Sequence, residues 1–201
     1  MKPETIREHW TPCGVVFIDA GWEEAIIPSL WEQQTFVDKA GPEIISQMWA
    51  FSDKGGRDVC LIPEVTGLIQ EMWRNEWSKT AKTRKIFYVN RCYRYERPQA
   101  GRYREFTQFG VELLGEAQDG RDEVIQLLRT CLGAFPQLEF ELKDGVKRGL
   151  SYYTEDGFEV ECSSLGAQKQ ICGGGRYAEG IGWAIGVDRL LLALSNAKKT
   201  P

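Results

Sequence analysis

The 201-residue sequence is poor in the side chains that most often carry acid–base and metal chemistry. Its only histidine is His9, near the N-terminus, which argues against a histidine-dependent triad and against a metal site made of histidines. None of the six cysteines is spaced as C-x-x-C, so neither a zinc knuckle nor a redox pair is indicated. Cys92 and Cys131 lie among apolar residues and are expected to be buried thiols. No metal site formed by a protein cluster is expected.

The sequence also lacks the ~18-residue apolar run of a membrane-spanning helix, a signal peptide, internal repeats and low-complexity segments. The net charge of −4 argues against a general nucleic-acid coat, so no DNA partner is expected and RNA contacts would depend on local arginines. With 42% hydrophobic and 27% charged residues, the chain is typical of a globular protein. We expect one domain over residues 1–201, without a membrane partner and in the cytoplasm.

The most informative stretch predicts two β-strands joined by a basic loop. Residues 86–95 are rich in aromatic and β-branched side chains, as strands are, and the loop of residues 96–105 contains Pro98 and Gly101 as breakers. Residues 106–114 alternate between two faces. One face carries Thr107, Phe109, Val111 and Leu113, and the other carries Gln108, Gly110 and Glu112. Beside an arginine-rich loop, the second face predicts a floor for a small polar ligand that carries both charges.

The remaining elements follow from turn and periodicity signals. A hairpin is predicted from residues 48–52 and 58–62, and helices from residues 66–80 and 121–135. A strand over residues 138–142 should end in a turn at residues 143–145, and a further strand should cover residues 158–162. A strand ending near Ile185 should lead into a helix with Arg189 in its first turn, which suits a polyphosphate. Residues 1–11 are expected to form a short helix or arm.

The run ERPQ-x-GRYREF-x-Q-x-G-x-E, residues 96–112, resembles motif 2 of class II aminoacyl-tRNA synthetases, and within them that of the histidyl-tRNA synthetases. Four shorter stretches resemble other signatures of the same family in the same order. They are LIPEVT at residues 61–66, RGLSYY at residues 148–153, GGRY at residues 174–177 and GVDR of motif 3 at residues 186–189. The resemblance implies an α+β fold with a mostly antiparallel sheet flanked by helices.

Three positions depart from the family pattern. Ile62 stands in place of arginine and Val65 in place of glycine in the family's L-R-P-E-G-T, and Ser151 stands in place of aspartate in R-G-L-D-Y-Y. Because a valine does not easily adopt a left-handed backbone, the loop at Val65 is expected to differ. The insertion before R-G-L is expected to be reduced to residues 143–145, and no anticodon-binding domain is expected in this chain.

The resemblance also implies an activity, the formation of histidyl-adenylate from histidine and ATP, and a role for each matching residue. Arg94 and Arg148 would be catalytic. The ATP-binding residues would be Arg94, Glu96, Arg102 and Arg189, and Mg²⁺ would be held mainly by the phosphates. The histidine-binding residues would be Glu64, Thr66, Gln108, Glu112, Tyr152 and Tyr153. The contacts to a tRNA acceptor end would come from Arg97, Gln99 and Arg104.

The sequence also bears on the oligomeric state, and it leaves two alternative functions open. The region around Pro28 resembles motif 1, which in this class packs across a two-fold axis, so a homodimer is expected. One alternative function is a non-catalytic histidine-binding protein of the ATP phosphoribosyltransferase regulatory type. The other is an amino-acid ligase with an acceptor other than tRNA. The sequence favours activation of histidine because Arg94, Arg148 and Arg189, to which the resemblance assigns phosphate contacts, are all present.

Overall fold

The computed structural model describes residues 17–39, 42–115, 120–166 and 168–198. In the first half of the chain the strands are β1 Glu23–Glu24, β2 Leu30–Glu32, β3 Trp49–Ser52, β4 Asp58–Leu61 and β5 Thr83–Tyr93. The helices there are α1 Gln33–Val37, α2 Pro42–Gln47 and α3 Thr66–Asn75. The second half contains β6 Glu105–Gly115, α4 Gly120–Gly133, β7 Phe140–Val146, β8 Gly157–Cys162, β9 Gln170–Tyr177, β10 Gly180–Gly186 and α5 Val187–Ala197.

The strands form one large sheet and one small sheet. The large sheet has the order β1-β5-β6-β10-β9-β8-β7, in which β1 pairs with β5 in parallel and the other neighbours are antiparallel. The small sheet has the order β2-β4-β3 and is antiparallel. The predicted class, a mostly antiparallel sheet with flanking helices, is therefore confirmed.

Helices and the small sheet cover both faces of the central strands. The alternation along β5 sends Phe87 into a core that includes α4 and α5, and sends Ile86 and Tyr88 into a second core that includes α3 and β4. On β6, Phe109 and Val111 belong to the first core. The opposite side of β6 carries Glu112, which is fully buried. At Glu112, this polar face is therefore enclosed by the second core.

Most predicted elements match the structure within a few residues, and the hairpin of β3 and β4 is confirmed. Its turn is stabilised by Asp53, whose carboxylate accepts hydrogen bonds from the amides of Gly55 and Arg57. Cys92 and Cys131 are buried, as expected. The arm predicted for residues 1–11, which contains His9, lies outside the described residues.

Two boundaries were wrong. The turn predicted at residues 143–145 is part of β7, which continues to Val146 with a register shift between Asp144 and Val146. Gly145, with a φ of +66°, provides the left-handed backbone of this bulge, so the same glycine that indicated a turn supports a strand irregularity. The helix predicted for residues 66–80 ends at Asn75, and a short 3₁₀ helix follows at Trp77–Lys79.

Close packing of β9 against its neighbours depends on glycine. A Cβ atom at Gly174 would lie 2.5 Å from the carbonyl oxygen of Gly182 and 2.5 Å from the Phe158 ring. Backbone and a buried ring cannot both move away without disturbing the pairing of β8, β9 and β10. Gly174 therefore sets the distance between these strands.

We expect Gly174→Ala to lower the free energy of unfolding by ~1–3 kcal/mol, because it overpacks this contact. Gly133→Ala is the matched control, since a Cβ atom at this last residue of α4 would meet nothing within 4 Å. The control should be neutral or slightly stabilising. Urea unfolding of both variants measures the difference, and equal stabilities would contradict the packing argument.

Candidate active site

One cavity of about 390 Å³ collects most of the residues that the sequence singled out. Its walls come from the ends of β5 and β6, from β8, β9 and β10, from the start of α5 and from residues 148–153. Its size is in the range that binds small ligands. The predicted site residues that line it are Glu64, Thr66, Arg94, Glu96, Arg102, Gln108, Arg148, Tyr152, Tyr153 and Arg189.

Arg94 is held at the end of β5 by the backbone and by an aromatic ring. Its Nε donates a hydrogen bond to the carbonyl oxygen of Pro63 at 2.9 Å, and its guanidinium lies 5.3 Å from the centroid of the Phe106 ring. The backbone amide of Arg94 also donates to the carbonyl oxygen of Arg104, which joins the two strands at this point. These contacts fix the guanidinium at the cavity wall before any ligand is bound.

Arg148 lies against the glycine-rich strand β9. Its guanidinium forms an ion pair with Glu159 and lies 5.7 Å from the centroid of the Tyr153 ring. A Cβ atom at Gly173 would lie 2.7 Å from Arg148 Cζ, so only glycine leaves space for this guanidinium. Glu159 was not among the residues predicted from the sequence, because its partner lies outside its own strand.

Arg189 and Arg102 bring two further guanidinium groups to the cavity. Arg189 lies in the first turn of α5, as predicted, and donates to the carbonyl oxygen of Gln168. Arg102 pairs with Glu96 at 3.8 Å. Gly101, with a φ of +75°, packs against the Arg189 side chain and lets the loop pass close to it. Burial, together with the charge of Arg102, lowers the pKa of Arg189.

Two of these arginines retain unsatisfied donors. The Nε atoms of Arg148 and Arg189 are buried and have no hydrogen-bond partner within the described part of the chain. A buried donor without a partner is costly in a folded protein. Because both side chains line the cavity, these groups are suited to an anionic ligand there.

Glu64 and Thr66 line the cavity at the start of α3. Glu64 Oε1 accepts a hydrogen bond from the amide of Gly67 at 2.8 Å, and Oε2 accepts one from the Tyr152 hydroxyl at 3.4 Å. Burial raises the pKa of Glu64. Val65 has a φ of −98°, in the right-handed region, so this segment does not require the left-handed backbone that valine resists.

Gln108 and the two tyrosines complete this end of the cavity. Gln108 Oε1 accepts a hydrogen bond from Cys92 Sγ at 3.1 Å, and an amide oxygen has a second lone pair that can accept another. The rings of Tyr152 and Tyr153 pack against each other with centroids 4.6 Å apart. Tyr153 also forms an isolated β-bridge with Tyr177 of β9.

Glu112 lies below the cavity surface, in a network of hydroxyl groups. Its carboxylate accepts hydrogen bonds from Thr66 Oγ1 and from the Tyr177 hydroxyl, each at 2.6 Å, and from the Tyr88 hydroxyl at 3.4 Å. Burial outweighs these donors and raises the pKa of Glu112 to about 8. Tyr88 and Tyr177 were not predicted as partners of Glu112, although Tyr177 belongs to the GGRY stretch of residues 174–177.

The three residues predicted to meet an RNA acceptor lie outside the main cavity. Arg97 and Gln99 line a neighbouring cavity of about 520 Å³. The guanidinium of Arg104 lies 4.2 Å from the centroid of the exposed Tyr95 ring, and its Nε donates to the carbonyl oxygen of Glu96 at 3.2 Å. Basic and aromatic side chains therefore lie next to the main cavity.

Neither a metal centre nor a membrane span is formed by the described residues. No three or more His, Cys, Asp and Glu side chains of these ranges are grouped so as to hold a metal ion. Within the same ranges, no helix is long and apolar enough to cross a membrane.

Comparisons with a family model and with curated relatives indicate the same family. Residues 4–143 match the family model described as Histidyl-tRNA synthetase. A histidine–tRNA ligase of Methanosarcina acetivorans is 30% identical, over 85% of this chain and 67% of its own. This chain therefore spans about two thirds of that relative's length.

Solved structures show the same fold at lower identity. The apo histidyl-tRNA synthetase of S. aureus superposes with a TM-score of 0.78 at 23% identity, over 98% of this chain and 68% of that chain. A Bacillus halodurans protein, titled as an ATP phosphoribosyltransferase regulatory subunit/histidyl-tRNA synthetase, superposes with a TM-score of 0.77 at 17% identity. The match covers 96% of this chain and 80% of that chain.

The buried carboxyl of Glu112 makes a prediction for stability against pH. The folded-state pKa of about 8 exceeds the ordinary value of 4.5, so the folded chain keeps a proton that the unfolded chain releases. The contribution of Glu112 to the free energy of unfolding should therefore be full at low pH and decline as the pH rises from about 5 to about 8. Glu112→Gln should flatten this decline, because an amide does not titrate.

Urea unfolding at several pH values measures the slope. Glu24→Gln, at an exposed position of β1, is the matched control and should keep the wild-type slope. An unchanged slope in Glu112→Gln would show that this carboxyl does not carry the pH dependence.

Proposed function

The chain belongs to the histidyl-tRNA synthetase family, and from this premise we propose that it activates histidine with ATP to form histidyl-adenylate. The observation that carries the proposal is the composition of the cavity. Arg94, Arg148 and Arg189 line it together with Glu64, Gln108 and Tyr153. Such a cavity combines guanidinium groups for a polyphosphate with polar groups for an amino acid.

In the proposed reaction, a carboxylate oxygen of histidine attacks the α-phosphorus of ATP, and the bond from that phosphorus to the β-phosphate oxygen breaks. Pyrophosphate leaves with the bonding electrons. The nucleophile is already anionic, so no side chain needs to remove a proton. The demand on the site is to neutralise charge and to hold two anions in line.

The arginines meet this demand at the phosphate end. We assign Arg94 and Arg148 to the α-phosphate and Arg189, with Arg102, to the terminal phosphates. A guanidinium stays charged and binds two phosphate oxygens at once. Glu96 would keep Arg102 oriented, and their ion pair at 3.8 Å supports this role. Mg²⁺ would bind mainly through the phosphates of the nucleotide and would balance part of their charge.

The amino-acid end offers acceptors and an aromatic wall. Glu64, Gln108 and Thr66 would receive the ammonium group of histidine. Tyr153 would contact the imidazole, with Tyr152 behind it. Glu112 would accept the ring N–H after the Thr66 or Tyr177 hydroxyl turns away, since both hydroxyls now occupy its oxygens.

The acceptor of the activated histidine is proposed to be the end of a tRNA. Arg97, Gln99 and Arg104 lie beside the mouth of the site, where an incoming strand would pass. A few arginine contacts on an acidic chain imply weak, salt-sensitive binding. We also propose that the chain acts as a homodimer. Ile26 and Leu30, which flank Pro28, are 93% and 46% exposed, as expected for an apolar interface.

Histidine should support ATP–pyrophosphate exchange, and the other common amino acids should not. The test is to measure exchange with each amino acid separately, with histidine binding followed by calorimetry. Exchange with a different amino acid would overturn the assignment of Tyr153 and Glu112. Histidine binding without exchange would instead favour a histidine-binding regulatory protein.

Arg148→Ala should lower the rate of exchange by ~10²–10³, because the guanidinium would stabilise charge that builds on the α-phosphate in the transition state. Arg121→Ala is the matched control. Like Arg148, Arg121 forms an ion pair and lies over an aromatic ring; its partners are Asp144 and Phe158. Unlike Arg148, it does not line the cavity. The control should keep wild-type exchange. Equal rates in both variants would limit Arg148 to a structural role.

A further inference from the structure

We propose that Ser151 and Lys39 are positioning residues that hold the segment of residues 148–153 against the cavity. This inference rests on the proposed function, because that segment carries Arg148, Tyr152 and Tyr153. Lys39 acts on these three side chains indirectly. Its backbone carbonyl accepts a hydrogen bond from Ser151, which lies in the same segment.

The segment of residues 148–153 is attached at both of its ends. At one end, Arg148 pairs with Glu159 of β8. At the other end, Tyr153 forms a bridge with Tyr177, and the amide of Thr154 donates to the carbonyl oxygen of Arg176 at 3.0 Å. The middle of the segment is connected to a distant part of the chain, because Ser151 Oγ donates to the carbonyl oxygen of Lys39 at 2.7 Å.

The carbonyl that Ser151 reaches is itself fixed by a buried side chain. Lys39 is 8% exposed, and its Nζ donates to Gln70 Oε1 of α3 at 2.9 Å. The same Nζ lies 4.0 Å from Glu179, in the turn between β9 and β10, and Arg74 pairs with that carboxylate at 2.9 Å. A buried ammonium group is stable only when it is paired, so Lys39 has little freedom to move.

The contact requires a hydrogen-bond donor in the side chain of residue 151. The related signature R-G-L-D-Y-Y has aspartate there, and an ionised carboxylate has no hydrogen to donate to a carbonyl oxygen. In this chain a hydroxyl provides that hydrogen. The departure at Ser151 and the buried Lys39 are thus two parts of one contact between residues 148–153 and the end of α1.

The expected consequence falls on the amino-acid end of the site. Tyr152 and Tyr153 follow Ser151 directly, whereas Arg94 and Arg189 are held by other elements and Arg148 by its ion pair with Glu159 of β8. Loss of the contact should therefore raise the KM for histidine roughly three- to ten-fold, as for the loss of one hydrogen bond, and change the KM for ATP little.

The test compares Ser151→Ala and Ser151→Asp with Ser151→Thr, which keeps a donor hydroxyl. Ser52→Ala is a further control, since it removes an exposed hydroxyl bonded to Asp58, away from the cavity. Hydrogen–deuterium exchange of the whole chain is measured for the amides of residues 149–153, together with the two KM values and the thermal midpoint.

Ser151→Ala and Ser151→Asp should show faster amide exchange in residues 149–153 and a higher KM for histidine, with the thermal midpoint nearly unchanged. Ser151→Thr and Ser52→Ala should match the wild type. Unchanged amide exchange in Ser151→Ala would overturn the inference. The amide measurement needs no substrate, so it tests the inference independently of catalysis. If the wild type supported no pyrophosphate exchange, only the proposed function would be overturned.

Discussion

The concentration of guanidinium groups around one cavity is the constraint on which the rest of the site depends. Arg94, Arg148 and Arg189 come from three separate elements, and like charges repel at such a site unless each is compensated. The compensation is local: a carbonyl oxygen for Arg94, Glu159 for Arg148 and a carbonyl oxygen for Arg189. The glycines of β9 give Arg148 its space. The positive end of the cavity is thus organised before a polyanion arrives, which is how electrostatic catalysis avoids reorganisation during the reaction.

A second, uncharged network separates the amino-acid end from the protein core. The hydroxyls of Thr66 and Tyr177 occupy the oxygens of Glu112, and burial keeps its pKa near 8. Glu64 is also buried, and its carboxylate is shared between the start of α3 and Tyr152. An ammonium group bound beside Glu64 would favour its charged form. A cationic amino acid bound there would therefore oppose the burial that raises the pKa of Glu64.

Ten of the residues predicted from the sequence line the cavity, and all of these except Arg94 lie in one of the quoted motifs. Sequence reasoning failed where residues meet across the fold. Glu159 and Lys39 have no local signal for their partners, since these lie on other strands or helices. The burial of Glu112 could not be predicted from strand alternation, because α3 and β9 cover that face. The supposed turn at residues 143–145 was a bulge, since Gly145 suits both structures and only the pairing with β8 distinguishes them. Val65 has a right-handed backbone, which valine adopts without strain, and the predicted difference of its loop from the family's loop stays a prediction.

The central claim is that one cavity holds histidine and the α-phosphate of ATP in line, between its tyrosine end and its arginine end. The most direct test is a crystal structure with a stable analogue of histidyl-adenylate in which the phosphate is replaced by an unreactive group. The account predicts the imidazole beside Tyr153, the ammonium group at Glu64 and Gln108, and the replaced phosphate between Arg94 and Arg148. An analogue bound in the reverse direction, or bound outside this cavity, would contradict it.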